Sequence, residues 1–287
     1  MGCCESSPGA KAKLQHAYHL SNNSLQITHF DLHTGEFKCT FAWNSPLRPG
    51  AQYCTLPNGP LFVTGGRTSH LRRPGAQSSN SAASFDSATG EFREKPNMIT
   101  GRESHAMAVE GRAVYSLTGA NGCTLTQLCE RWDTVEEEWE PIEALPEART
   151  QASACVVRQR IYLTGGQSLR VQFFYIPVGQ WAVANFKLPL DLRQHGSAEY
   201  LGGVLVFGGV RADGSPSLST FWFSTRQQRM LQKSSMPAGA LFPCHCLSAG
   251  DTVYACEQAN GSMLFVFWQD RWVLRQLLPN KASLHNG

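Results

Sequence analysis

The chain has 287 residues, with 25 Lys+Arg against 22 Asp+Glu for a formal net charge of +3. Only 16% of residues are charged and 42% are hydrophobic, which excludes a disordered chain, and so even a charge balance offers nothing to nucleic acid. The best uncharged stretch, Val171 to Phe186, is broken by Pro177, Gly179, Gln180 and Asn185, so it falls short of the roughly 20 apolar residues of a membrane span.

Taken in chain order, the first signal is at the N-terminus. Met1-Gly2-Cys3-Cys4-Glu5-Ser6 fits N-myristoylation at Gly2, followed directly by two cysteines placed for palmitoylation, Cys3 and Cys4. One myristoyl chain binds a bilayer only marginally, and a second acyl chain makes the anchoring stable. Lys11 and Lys13 add attraction to an anionic leaflet. The competing reading is an incidental Met-Gly start. Residues 1–13 are thus expected to be a flexible acylated segment, and residues 14–287 the folded domain. No apolar leader precedes it, so the ten cysteines are expected to be reduced thiols in the cytosol. The expected localisation is cytoplasmic, peripheral at the cytosolic face of a membrane.

Beyond residue 13 the sequence repeats. Phe30-Asp31-Leu32-His33-Thr34-Gly35-Glu36-Phe37 returns as Phe85-Asp86-Ser87-Ala88-Thr89-Gly90-Glu91-Phe92. The same seven-residue aromatic step continues at Trp132 to Trp139, Phe174 to Trp181, Phe223 to Met230 and Phe265 to Trp272, at intervals of 55, 47, 42, 49 and 42 residues. Apolar runs ending in Gly-Gly keep the same beat: Leu61 to Gly66, Ile161 to Gly166 and Val204 to Gly209, with Val114 to Ala120 a weaker copy. Strands of small side chains precede these runs at Ser104 to Val109 and Gln151 to Val156, and a further one stands at Cys244 to Ala249. Small residues suit an inner strand crowded around an axis. Four short strands per unit of 42–55 residues describe a propeller blade.

These motifs resemble the Kelch-repeat β-propeller family, with Cys129-Glu130-Arg131-Trp132-Asp133 to Trp139 the nearest copy, and the resemblance covers about residues 14–280. The expected fold is all-β: a propeller of four-stranded antiparallel blades, six in number, with five or seven as the alternatives. The first unit is short of its inner strand, and Lys281-Ala282-Ser283-Leu284-His285 is expected to supply it and close the ring. The last unit carries Cys256-Glu257 where Gly-Gly belongs.

Four arginines stand just before the inner strands, Arg48, Arg102, Arg149 and Arg193. The resemblance implies that this position faces the mouth of the central channel, where relatives bind acidic peptides. A guanidinium fork suits carboxylate and phosphate. The alternative is that each arginine pairs locally with a carbonyl or carboxylate. Asn121, Gln167 and Arg211 open the loops after the second strands and are further partner-binding candidates, and the long Arg67 to Ala82 segment carries Arg72 and Arg73.

Cys244-His245-Cys246 points its two sulfurs to one strand face and has no second ligand pair at zinc spacing, so no metal is expected. His105, His195 and His245 fall near inner strands with differing register and read as structural. No nucleophile elbow, metalloprotease helix, phosphate loop or dinucleotide fingerprint is present in the sequence. No cofactor and no catalysis are expected. The chain therefore reads as a monomeric membrane-anchored module binding an acidic or phosphorylated segment of another protein. A propeller enzyme or sensor acting on a small molecule in the channel is the alternative.

Overall fold

The computed structural model describes residues 16–20, 26–31, 37–42, 48–56, 59–68, 75–237, 243–257 and 263–277. Among these residues the chain is all β-strand and turn, with no helix. Five sheets have four antiparallel strands in simple up-and-down order, and these are blades one to five. Blade one is Gln52–Thr55, Leu61–Thr64, Ala82–Asp86 and Glu91–Lys95. Blade two is Ala106–Glu110, Ala113–Leu117, Cys129–Asp133 and Trp139–Ile142. Blade three is Ala152–Val157, Arg160–Gly165, Arg170–Tyr175 and Gln180–Lys187. Blade four is Gly196–Tyr200, Gly203–Phe207, Thr220–Ser224 and Arg229–Lys233. Blade five is Pro243–Ala249, Thr252–Glu257, Met263–Trp268 and Arg271–Leu277.

A three-stranded sheet, His16–Leu20, Gln26–Asp31 and Phe37–Ala42, precedes them. The described residues therefore hold five complete blades rather than the expected six, because the first unit has no inner strand among them. Lys281 to His285, expected to supply it, lie outside the described residues, as do Gly2, Cys3 and Cys4.

The seven-residue aromatic step is a cross-strand pair. Phe30 lies opposite Phe37, Phe85 opposite Phe92, Trp132 opposite Trp139, Phe174 opposite Trp181 and Phe223 opposite Met230. A hairpin that puts two bulky residues directly opposite one another gains their mutual packing. The last unit departs from this rule. Trp272 faces Phe267, while Phe265 faces Leu274. The cause is a tighter turn, with Gln269 and Asp270 both at positive φ (47° and 61°), as a two-residue hairpin of the primed type requires.

The core lies between blades rather than within one. Phe62 of blade one stacks on Trp132 of blade two with ring centroids 4.4 Å apart. Tyr115 meets Phe174 across the next gap, and Phe207 meets Trp272 at 4.8 Å between blades four and five. Indole N–H groups sew the outer edges: Trp139 donates to Pro96 O and Trp181 to Glu143 O, each at 2.9 Å. Inner strands touch their neighbours in the order of blades one to five, so their starting ends surround the channel at one mouth.

Candidate partner-binding rim

The chain enters each inner strand through a belt of hydrogen bonds that runs from blade to blade. Ser104 N–H donates to Gly50 O (2.7 Å), Gln151 N–H to Ser104 O (2.8 Å) and Gln194 N–H to Gln151 O (3.0 Å). A second set pins the glycine pairs: Gly66 N–H to Arg102 O, Gly119 N–H to Arg149 O and Gly166 N–H to Leu192 O. Close approach explains the glycines. A Cβ on Gly65 would stand 2.3 Å from Arg102 O, and one on Gly165 2.3 Å from Leu192 O.

The belt fixes which residues are equivalent. Gly50, Ser104, Gln151 and Gln194 share one position, so two places earlier Arg48, Arg102 and Arg149 share another, and the fourth member of that set is Leu192, not Arg193. Arg193 is displaced one residue outward.

Arg102 and Arg149 take the local-pairing alternative, and both are essentially fully buried. Arg102 donates to Thr118 O (2.9 Å) and Leu128 O (2.7 Å) through one nitrogen and pairs with the Glu130 carboxylate through another. Glu130 in turn accepts from Ile99 N–H at 2.6 Å and Thr100 N–H at 3.2 Å. Arg149 donates to Arg170 O (2.7 Å), Gly165 O (3.2 Å) and the Glu147 carboxylate (2.9 Å). These guanidiniums tie the second strand of a blade to its third. Burial lowers the Arg149 pKa, and the Glu147 carboxylate opposes that shift.

Arg48 and Arg211 are exposed, and Arg193 is half-buried, with long contacts to Arg211 O and Ala212 O at 3.4 and 3.5 Å as its only side-chain hydrogen bonds among the described residues. Gln167 is exposed at φ 70°. Asn121 is committed elsewhere: its side-chain oxygen accepts from Ser78 N–H at 2.9 Å, while Ser78 Oγ bonds Ala120 O and Gly122 N–H. It clasps the neighbouring blade's loop. Sequence reasoning missed Arg67, which follows the first glycine pair and lies 3.0 Å from the buried Glu103 carboxylate with its own side chain 29% exposed. It also missed the belt side chains. The signal for both was the fixed offset from the glycine pair and from the arginine slot.

His105 and His195 are equivalent, although their sequence register differs. Each packs its Cε1 against the first glycine of the preceding blade's pair and bonds a threonine there, Thr64 or Thr164, at 2.8 Å through Nε2. Burial holds the His105 pKa well below its ordinary value and brings that of His195 down to about 4. Both are neutral clasps between blades. Cys54, Cys123, Cys129, Cys155, Cys246 and Cys256 are unbridged, and burial pushes the Cys155 thiol up to about 12. Among the described residues no group of three His, Cys, Asp or Glu side chains is gathered to hold a metal.

No protein-family model matches the chain. Kelch-like protein 23 of Homo sapiens is 26% identical over 138 residues, which are 45% of this chain and 24% of that protein. Kelch repeat and BTB domain-containing protein 2 of Ectromelia virus (strain Moscow) is 29% identical over 104 residues, 36% of this chain and 17% of that protein. Kelch-like protein 38 of Mus musculus is 26% identical over 104 residues, 34% and 18%. The chain thus spans 24% or less of the length of these relatives. The solved structure of YjhT superposes with a TM-score of 0.74 over 93% of this chain and 98% of that one, at 12% identity, a likeness of fold.

Proposed function

We propose that this chain, a Kelch-repeat β-propeller in its repeats and its fold, is a protein-binding module that grips an acidic or phosphorylated segment of a partner at the mouth of its channel. One observation supports the reading. With Arg102 and Arg149 turned inward, Arg48, Arg67, Arg193 and Arg211 still reach solvent from segments that adjoin the belt. Carboxylates beside them are already engaged: Glu103 lies buried beside Arg67, and Asp213 accepts from Ser215 N–H and Oγ–H at 2.8 and 2.6 Å. Arg67 is thus paired with Glu103 and Arg211 lies near Asp213, while Arg48 and Arg193 have no ion pair among the described residues. We also propose that Lys281 to His285 complete the three-stranded sheet as a sixth blade. Acylation at Gly2, Cys3 and Cys4 would then hold the monomer at the cytosolic face of a membrane.

The test is quantitative capture of partners by wild type and by an Arg48→Ala/Arg193→Ala/Arg211→Ala variant of matched thermal stability. Loss of a specific partner set supports recognition at the rim. An unchanged set moves binding to the blade edges and ends the reading, and an empty set from both proteins turns attention to small-molecule chemistry in the channel.

A further inference from the structure

The belt residues carry more than the belt needs. Gly50, Ser104, Gln151 and Gln194 all lie in the left-handed backbone region, with φ of 76°, 49°, 58° and 52°. That conformation is cheap for glycine and strained for residues with a Cβ. Gly50 shows that glycine serves the position, since its carbonyl accepts the belt hydrogen bond as those of Ser104 and Gln151 do. At three of the four places the chain keeps a polar side chain instead.

Apart from Gln167, exposed at φ 70° at the same mouth, such strain elsewhere has a visible use inside the fold. Thr118, at φ 54°, spends its hydroxyl on Thr126 O, Arg149 O and Arg149 N–H at 2.7–2.9 Å. Gln228, at φ 52°, donates to Thr225 O at 3.0 Å. Glu137, Arg158, Gln159, Leu201, Gln269 and Asp270 sit in the tight turns between antiparallel strands. Ser104, Gln151 and Gln194 belong to neither class: their side chains make no hydrogen bond among the described residues. Their N–H groups, and the C=O groups of Ser104 and Gln151, are spent along the belt, and the side chains stand at the mouth half-buried for Ser104 and Gln151 and exposed for Gln194.

We infer that Ser104, Gln151 and Gln194 contact the bound segment, and that they read uncharged hydrogen-bonding groups at its apex, the main-chain amides or a polar uncharged side chain. A hydroxyl and two carboxamides both donate and accept and carry no charge with which to select an acid. The acids of the segment fall to the arginines farther out. This inference rests on the rim reading above and narrows it, because the centre of the site is neutral.

A displayed library of random peptides, selected on the full chain, supplies the probe. The test variant is Ser104→Gly/Gln151→Gly/Gln194→Gly, with Gln151→Asn/Gln194→Asn as the conservative partner, since asparagine tolerates the left-handed region. The expected result has two parts. The glycine variant melts no lower than wild type, and it binds the selected peptides roughly tenfold to a hundredfold more weakly, the loss of two or three hydrogen bonds. The asparagine variant recovers part of that affinity. A clear fall in melting temperature would make these side chains structural and overturn the inference. So would unchanged affinity. If affinity is lost only when Arg48, Arg193 and Arg211 become alanine, the rim reading stands without the belt contacts. If wild type selects no peptide, both fall.

Discussion

Replacing Arg102 by leucine tests whether the arginine slot is structural. The guanidinium is completely enclosed and the Glu130 side chain is 2% exposed, so water cannot take over when one partner is lost. Arg102→Leu leaves a buried carboxylate with only the Ile99 and Thr100 amides, and strips Thr118 O and Leu128 O of a donor. Removing one partner of such a pair costs about 3–5 kcal/mol. At roughly 2–4 °C per kcal/mol for a protein of this size, the melting temperature should fall by about 10 °C. Blade four shows the compensated alternative, with Leu192 in the arginine slot and Phe221, 8% exposed, at the strand position of Glu130. The double variant Arg102→Leu/Glu130→Phe should therefore recover about 2 kcal/mol of the loss, short of full recovery because Ile99 and Thr100 lose their acceptor. Calorimetry or urea unfolding of both single variants, the double variant and wild type gives the coupling directly. An Arg102→Leu cost below about 1 kcal/mol, the range of a solvent-exposed ion pair, would refute the burial argument.

Three further outcomes follow from the same geometry. His195 is held near a pKa of about 4 by burial and His105 is lowered in the same direction. The unfolded chain therefore takes up protons first, and stability is full above about pH 6.5 and falls as pH drops toward 4. His195 alone accounts for about 3 kcal/mol of that fall, so His105→Gln/His195→Gln should flatten the melting profile over this window, and an unchanged slope would refute it. Gly165→Ala puts a Cβ 2.3 Å from Leu192 O at φ 62° and should cost about 2–3 kcal/mol, read by urea unfolding; a wild-type midpoint would contradict the close approach. Membrane flotation should separate wild type from Gly2→Ala, and equal flotation would remove the proposed anchor.

Much of the fold was legible because its signal is local. A hairpin that pairs two aromatics writes itself into the sequence as a fixed spacing, and a strand that must pass close under its neighbour writes itself as Gly-Gly. The rule failed where the turn changed length. At Gln269-Asp270 a shorter turn moved the partner of Trp272 from Phe265 to Phe267. The site was less legible, since which way a side chain turns depends on what stands across the blade. Arg102 looks like Arg48 in sequence. Glu130 in the third strand of its own blade draws it inward, whereas the matching residue in blade one is Ala83, which offers an arginine no charge. Asn121 looked free as the opening of a loop, and its partner Ser78 lies 43 residues away. The one-residue displacement of Arg193 was invisible without the belt that defines the register.

That displacement shapes the rim. In blades two and three a buried arginine needs polar company, Glu130 in one and Glu147 in the other, and the charge is consumed within the blade. In blade four an apolar pair fills the slot, which leaves Arg193 free to stand outside with Arg211. Blade one keeps Arg48 exposed and adds Arg67. Blades one and four thus each carry two accessible arginines at the rim, with the uncharged Ser104, Gln151 and Gln167 on the two blades between them, where Arg170 and Lys187 of blade three are also exposed. On the proposed reading, a segment that spans both arginine pairs carries an acid at each end. Removing either arginine pair should then weaken binding, while a peptide with a single acidic cluster should lose only to the pair it faces.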